Sequence, residues 1–320
     1  MPRQIVVLFV HGIFADDPNF ANPMRKALRD LLGDELNRHI DFYSIYWSKR
    51  VRDHQLNYMD RARSAANISD NKLRRFLLQG LGDAAAYQKT RHRDSSIYYE
   101  VHNILTEEIR SIDKKGTTLK NGGDRLLVFV GHSLGCHVIS TYMWDMNKLK
   151  QRDKSSVDED AKRDQEVGVL WNELTAETSS PFRKLETFAG LVTLGCNIPM
   201  FTFTFGPDRL MPITVAPTTD GQNAHPAFPG KALPPPLKDK ARWLNFYSKR
   251  DLLAFPLKPL NPHFHDEERI EDIAVVSESR LSTWFPYWSG INAHLGYWTN
   301  ADVVNRTADL LRSLAADESS

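Results

Sequence analysis

The sequence has little of several features that would place it in a specialised class. Only two of its 320 residues are cysteines, Cys136 and Cys196, too few for a framework of disulfides. We expect two buried free thiols, and a single disulfide between them is the alternative. The net charge is only +1, so electrostatics gives no reason to bind nucleic acid or an anionic membrane.

Long apolar runs are also absent, and none approaches the roughly 18 residues that a membrane span needs. The apolar run 5–10 is short and is followed at once by His11-Gly12, with no small-residue cleavage site nearby. It is typical of a buried strand and not of a signal peptide, so we expect a cytoplasmic location. No metal-ligand spacing and no glycine-rich phosphate loop occurs, so we expect no cofactor or metal.

Short apolar segments alternate with helical patterns along the chain. The predicted strands are Gln4–Val10, Ile40–Trp47, Leu126–Val130, Phe188–Leu194, Ala241–Tyr247 and, more weakly, 273–276. The predicted helices are Pro23–Leu32 (capped by Asn22), Lys72–Leu81, Ser96–Ile112, Ser133–Leu149 and Ala301–Leu314. This alternation predicts an α/β fold, a three-layer αβα sandwich with a mostly parallel sheet covered on both faces.

Three stretches do not fit a minimal sheet. Residues 49–93 carry eleven Lys or Arg against four Asp, residues 150–184 open with mixed charge, and residues 199–240 are rich in proline. Without an internal repeat or a long linker, residues 1–320 are predicted to form one domain with these three insertions.

The sharpest local pattern is a buried strand, then Gly131-His132-Ser133-Leu134-Gly135, then a helix. A tight turn between strand and helix exposes the serine hydroxyl and leaves room only for glycine two residues before and two after it. The helix directs its N-terminal amides at negative charge on a substrate. The pattern therefore predicts that Ser133 is a nucleophile.

This strand, G-x-S-x-G turn and helix resemble the nucleophile elbow of α/β-hydrolases, particularly their lipase and esterase members. The resemblance extends over residues 4–47, 96–149, 185–199, 241–254 and 270–315, and the chain would lack the first hairpin of the larger members. It implies an oxyanion hole formed by the backbone N–H groups of Leu134 and Ile13, with Phe14 as the alternative to Ile13. His11 and Gly12 belong to that second turn, and His11 either shapes it or touches substrate.

The resemblance also implies an acid and then a base after later strands. Asp251 follows the strand 241–247, while Asp266, Glu267, Glu268 and Asp272 lie in an acidic patch that we interpret as a solvated loop. His294 precedes the last helix and is the predicted base, with His263 and His265 as alternatives. The predicted triad is therefore Ser133, Asp251 and His294.

Two segments near these residues are candidates for shaping a pocket. Residues 199–240 form a possible lid, since such insertions often arise between the strand 188–194 and the acid. An aromatic cluster surrounds His294 and forms either an acyl pocket or ordinary core; its members are Trp284, Phe285, Tyr287, Trp288, Tyr297 and Trp298.

The function that these residues predict is hydrolysis of a small-molecule or lipid-like carboxylic ester through an acyl-enzyme. Acyl transfer, or cleavage of a thioester or amide, would use the same triad. A catalytically dead ligand-binding protein on this fold is a third hypothesis.

Overall fold

Six strands pair side by side in the computed structural model, in the order β2–β1–β3–β4–β5–β6. They are β1 (Ile5–Val10), β2 (Ile40–Ile45), β3 (Leu126–His132), β4 (Phe188–Leu194), β5 (Arg242–Tyr247) and β6 (Ile270–Ala274). All five neighbouring pairs are parallel. The structure describes residues 3–12, 15, 17–66, 68, 72–87, 97–116, 125–150, 179–202, 212–214, 227–277 and 292–316.

The described helices are α1 (Asn22–Asn37), α2 (Lys49–Ala66), α3 (Lys72–Ala86), α4 (Ile97–Gly116), α5 (Leu134–Lys150), α6 (Ile198–Thr202), α7 (Pro235–Lys240) and α8 (Ala301–Ala315). Single 3₁₀ turns cover Lys258–Leu260, Pro262–Phe264 and Gly296–Thr299. Among these helices none combines the length and apolar character required to cross a membrane.

Helices cover both faces of the sheet, and the alternation of side chains along β1 shows this directly. Ile5, Val7 and Phe9 pack into a core that includes side chains of α1 and α8. Val6, Leu8 and Val10 point to the other face, where α4 and α5 supply the core. Because successive side chains of a strand point to opposite faces, a strand between two helical layers is apolar throughout. The predicted α/β architecture is confirmed at this level.

The five stronger strand predictions are confirmed to within two residues at either end. The sixth strand begins at Ile270 and not at 273. The prediction missed its first residues because Glu271 and Asp272 are charged. An edge strand is only partly covered, so it need not be apolar throughout.

The prediction that Asn22 caps α1 is wrong. Ala21 is the N-cap residue and makes no side-chain hydrogen bond, while Pro23 occupies the first turn. Proline is suited to that position because the N–H it lacks would have no partner within the helix. The helix also continues past Leu32 to Asn37, through a break at Gly33, where φ is +73°.

Part of the predicted lid lies far from the carboxyl edge of the sheet. Phe228 packs on Phe188, the first residue of β4, with ring centroids 4.8 Å apart. The Gly230 N–H donates to the Phe188 carbonyl oxygen at 2.8 Å. Residues 227–230 therefore sit at the amino end of β4. Residues 203–211 and 215–226 lie outside the described residues, as does most of 150–184, so the lid stays a prediction.

Candidate active site

Ser133 lies in the turn between β3 and α5 and has a φ of +53°, a value that non-glycine residues rarely adopt. Its N–H donates to the Leu194 carbonyl oxygen at 2.9 Å, which joins the turn to the end of β4. Ser133 is fully buried. Strained backbone of this kind persists only where the surroundings hold it, and it occurs frequently at functional sites.

At both glycines of the G-x-S-x-G pattern, neighbouring segments lie so close that a Cβ atom would clash with them. A Cβ on Gly135 would collide with the carbonyl oxygen of Val10, because β1 ends directly against the start of α5. A Cβ on Gly131 would lie 2.8 Å from Cδ1 of Ile139 and 3.1 Å from the Cys136 backbone. A larger residue at Gly135 would displace the backbone at the end of β1, and one at Gly131 would displace the Ile139 side chain and press on the start of α5.

The His11-Gly12 turn lies against the elbow, where the resemblance places the second oxyanion donor. A Cβ on Gly12 would overlap the Cβ of Ser133 and lie 2.8 Å from the backbone nitrogen of Leu134. Leu134 is the first residue of α5, and the first N–H groups of a helix have no partner within it. Ile13 and Phe14 lie outside the described residues, so the second donor stays a prediction.

His11 shapes this turn. Its Nε2 accepts the Trp47 backbone N–H at 3.1 Å, so the ring proton is on Nδ1 and is donated to the Gly12 carbonyl oxygen at 2.7 Å. The ring also stacks on Trp47 at 5.0 Å with an interplanar angle of 1°. Both ring nitrogens thus bind backbone groups of the protein. This favours a role for His11 in shaping the turn over a contact with substrate.

Asp251 and His294, which are 43 residues apart in sequence, form a buried pair. The Nδ1 of His294 lies 3.0 Å from Oδ1 and 2.8 Å from Oδ2 of Asp251. The carboxylate can only accept, so Nδ1 carries a proton, and Nε2 is the ring nitrogen left to accept one. A carboxylate that fixes the imidazole tautomer in this way is the arrangement of an acid and base in a triad.

The surroundings of Asp251 keep it ionised. Burial alone would raise its pKa, but the hydrogen bond and charge of His294 act against burial. The Leu253 N–H and the Tyr297 hydroxyl also donate to it, at 2.9 and 2.8 Å. Together these interactions hold the pKa of Asp251 below its usual value. Asp251 is therefore negatively charged at neutral pH.

The two atoms that would exchange a proton in catalysis are buried and lack a hydrogen-bond partner within the described part of the chain. They are Oγ of Ser133 and Nε2 of His294. Most buried polar atoms have a partner, so two orphans in one site require an explanation. A nucleophile and a base that become hydrogen-bonded only with substrate present would provide it.

Gly195 brings the acid and base close to the elbow. It follows β4 directly after Leu194, the residue that accepts the Ser133 N–H, and has a φ of +59°. A Cβ there would lie 2.9 Å from Cε2 of Tyr297, 3.1 Å from Oδ2 of Asp251 and 3.2 Å from Cε1 of His294. Gly195, a single small residue at the end of β4, therefore lies between Ser133 and the Asp251–His294 pair.

The alternative bases and acids do not lie near this pair. His263 and His265 are exposed, and Nε2 of His265 contacts the Lys258 carbonyl oxygen. The interpretation of Asp272 as part of a solvated loop is wrong. Asp272 lies on β6, and its carboxylate accepts the N–H groups of Leu257 and Lys258 and the amide of Asn245. It anchors the loop that carries Asp251.

The aromatic cluster is only partly visible. Residues 278–291, which include Trp284, Phe285, Tyr287 and Trp288, lie outside the described residues. Tyr297 is buried and its hydroxyl donates to Asp251, a contact that the sequence analysis missed. No pattern in the sequence distinguishes a tyrosine that binds a carboxylate from one that only fills core.

Both cysteines are free and buried, so the disulfide alternative is wrong. Burial raises the pKa of the Cys136 thiol, so it is not a thiolate nucleophile. Within the described residues no three His, Cys, Asp or Glu side chains are grouped so that they could hold a metal ion.

Neither a scan against protein-family models nor a search of the curated proteins found a match for this chain.

Proposed function

We propose that this chain is a serine hydrolase with an α/β-hydrolase fold that cleaves carboxylic esters. The observation that carries the proposal is that the end of β4 lies between two groups. On one side is a strained, buried Ser133, and on the other is a His294 whose tautomer is set by Asp251. Ser133 follows the carboxyl end of β3, Asp251 follows that of β5, and His294 lies between β6 and α8, in the proposed order nucleophile, acid, base. In an open parallel sheet, that edge is where ligands bind.

The proposed reaction begins with attack of the Ser133 hydroxyl on the acyl carbon, while Nε2 of His294 takes the hydroxyl proton. The carbonyl oxygen becomes an oxyanion, which the N–H of Leu134 and an N–H from the turn after Gly12 would bind. The intermediate collapses when His294 returns the proton to the leaving alcohol. Water, activated by His294, then hydrolyses the acyl-enzyme.

Each partner of His294 has a definite part in this scheme. The Asp251 carboxylate holds the proton of the neutral ring on Nδ1, so that Nε2 is the acceptor, and it stabilises the imidazolium that forms when Nε2 is protonated. Tyr297 and the Leu253 N–H hold the carboxylate in place. Gly195 leaves the space that these groups occupy.

Hydrolysis of p-nitrophenyl acetate and p-nitrophenyl octanoate by the purified chain tests the proposal. We expect turnover that Ser133→Ala and His294→Gln each abolish, with both variants folded as judged by circular dichroism. A control change at exposed His263, also to Gln, should retain the wild-type rate. If wild type shows no turnover of esters, thioesters or amides, the chain is not a hydrolase of this kind and a ligand-binding role takes its place.

A further inference from the structure

The backbone carbonyl groups of Ala293 and His294 each bind a side chain from another part of the chain. The Ser277 hydroxyl, just after β6, donates to the Ala293 carbonyl oxygen at 2.6 Å. Nε2 of His132 bonds to the carbonyl oxygen of His294 itself, also at 2.6 Å. The backbone of the base is therefore fixed at two adjacent points, and one of them comes from the residue before Ser133.

The His132 contact has one direction. A carbonyl oxygen can only accept, so Nε2 carries the ring proton and donates it. His132 is fully enclosed, and burial, followed by the proximity of His294, lowers its pKa to about 3. The ring therefore stays neutral at working pH and does not place a second positive charge beside the imidazolium that His294 becomes.

The ring of His132 also packs against the segment that contains the base. Its centroid is 4.9 Å from the His294 ring and 5.4 Å from the Trp298 ring. The hydrogen bond and these contacts join two segments 162 residues apart in sequence. His132 is covalently adjacent to Ser133, so whatever holds His132 to His294 also sets the separation of nucleophile and base.

We propose that His132 is a positioning residue that fixes the backbone of His294 relative to Ser133 through its Nε2–H. This rests on the proposed hydrolase function. His132 does not touch the reacting atoms, and its effect reaches the chemistry only through the placement of His294. Misplacement of a catalytic group by about 1 Å can reduce a rate by about 100-fold, so a single such hydrogen bond has a measurable effect.

The test compares His132→Gln with His132→Met. The two side chains have nearly the same length and shape, and only glutamine retains an N–H donor near the position of Nε2. We expect His132→Met to lower kcat for p-nitrophenyl acetate about 10- to 100-fold with KM changed by less than about threefold. His132→Gln should recover kcat to within about fivefold of wild type. His263→Met, at an exposed histidine, is the control.

A second measurement does not depend on turnover. Amide hydrogen exchange of the segment 292–296 should become at least about tenfold faster in His132→Met, and return towards wild type in His132→Gln. A role in fold stability alone would lower the melting temperature of His132→Met but leave kcat and local exchange of the folded protein unchanged. That pattern would overturn the proposal.

The remaining outcomes are also decisive. If His132→Met does not fold, His132→Gln decides alone, and a folded glutamine variant as slow as Ser133→Ala would contradict the proposal. If wild type hydrolyses no ester while exchange responds as expected, the hydrolase function fails and the positioning of His294 by His132 stands. If wild type is active and both variants match it in kcat and exchange, the function stands and the role of His132 fails.

Discussion

The hydroxyl of Tyr297 donates to Oδ2 of Asp251, the same carboxylate oxygen that lies 2.8 Å from Nδ1 of His294. The hydroxyl also accepts the Ser248 N–H, at 2.8 Å, so it connects the acid to the end of β5. Burial, and then the charge of Asp251, raise the pKa of Tyr297, so the phenol keeps its proton and remains a donor. Asp251 is thus held by a side chain from the segment that also carries His294.

Removal of this hydroxyl should weaken both the site and the fold. In Tyr297→Phe the Ser248 N–H loses its acceptor and Asp251 loses a donor. An unsatisfied buried group costs about 1–3 kcal/mol, so we expect a loss of that order in the free energy of unfolding. We expect kcat to fall about 10-fold through the loosened carboxylate. Tyr58→Phe, at a residue that is 54% exposed, is the control and should change neither quantity.

Asp251→Asn should abolish catalysis without unfolding the protein. The asparagine amide can donate to Nδ1 of His294, which would move the ring proton to Nε2 and remove the base. In a serine protease triad the equivalent change costs about 10⁴-fold in kcat, and we expect a loss of similar size here. Steady-state kinetics and circular dichroism provide the measurement. A variant that keeps a tenth or more of wild-type kcat would show that Asp251 does not set the tautomer.

Alanine substitutions at two glycines with positive φ distinguish the effect of crowding at the site from the effect of backbone strain alone. Gly195→Ala adds a methyl group against Tyr297, Asp251 and His294, whereas Gly33→Ala meets nothing within 4 Å. Both variants should be less stable by about 1 kcal/mol or more, because alanine is strained in the left-handed region. Only Gly195→Ala should also lose kcat, by about 10-fold or more. Equal activities in the two variants would contradict the placement of Gly195.

The acid sensitivity of the fold should depend on His137. Burial, and then the proximity of His102, lower the pKa of His137 from 6.5 to about 3. Between these values the unfolded chain binds a proton at His137 that the folded chain does not, so stability rises with pH and falls on acidification. Each such proton contributes up to about 1.4 kcal/mol per pH unit.

His137→Gln should therefore flatten this dependence. Its free energy of unfolding, measured by urea titration at several pH values from about 6 to about 4, should fall less steeply than that of wild type. His263→Gln, at an exposed histidine, should leave the slope as it is. A slope unchanged in His137→Gln would mean that His137 is not held neutral in the folded state.

Strands buried on both faces could be predicted from the sequence, because every residue of such a strand is apolar and the run is visible within a few consecutive residues. β1, β3 and β4 are fully buried, and their runs of Val, Ile, Leu and Phe already indicate it. The choice of Ser133, Asp251 and His294, in that order, came from the resemblance to α/β-hydrolases, and the structure places Nδ1 of His294 against the Asp251 carboxylate. Asp272 was misinterpreted because its neighbours are acidic, whereas its own carboxylate is turned to backbone N–H groups.

The supporting contacts could not be predicted, because they join residues that are distant in sequence. His132 stands at the variable position of its motif, and its partner lies 162 residues later. Tyr297 is one aromatic residue among several, and only the fold shows that its hydroxyl meets Asp251. Such pairings depend on how the ends of different strands meet at one edge, and that geometry has no signature along the chain.

The most direct test of the account is covalent labelling by a fluorophosphonate, followed by mass spectrometry to locate the adduct. A serine activated by His294 and Asp251 should react, so we predict a single adduct on Ser133, absent from Ser133→Ala and strongly slowed in His294→Gln. Wild-type protein that stays unlabelled, or an adduct that forms at another residue, would contradict the assignment of Ser133 as the nucleophile.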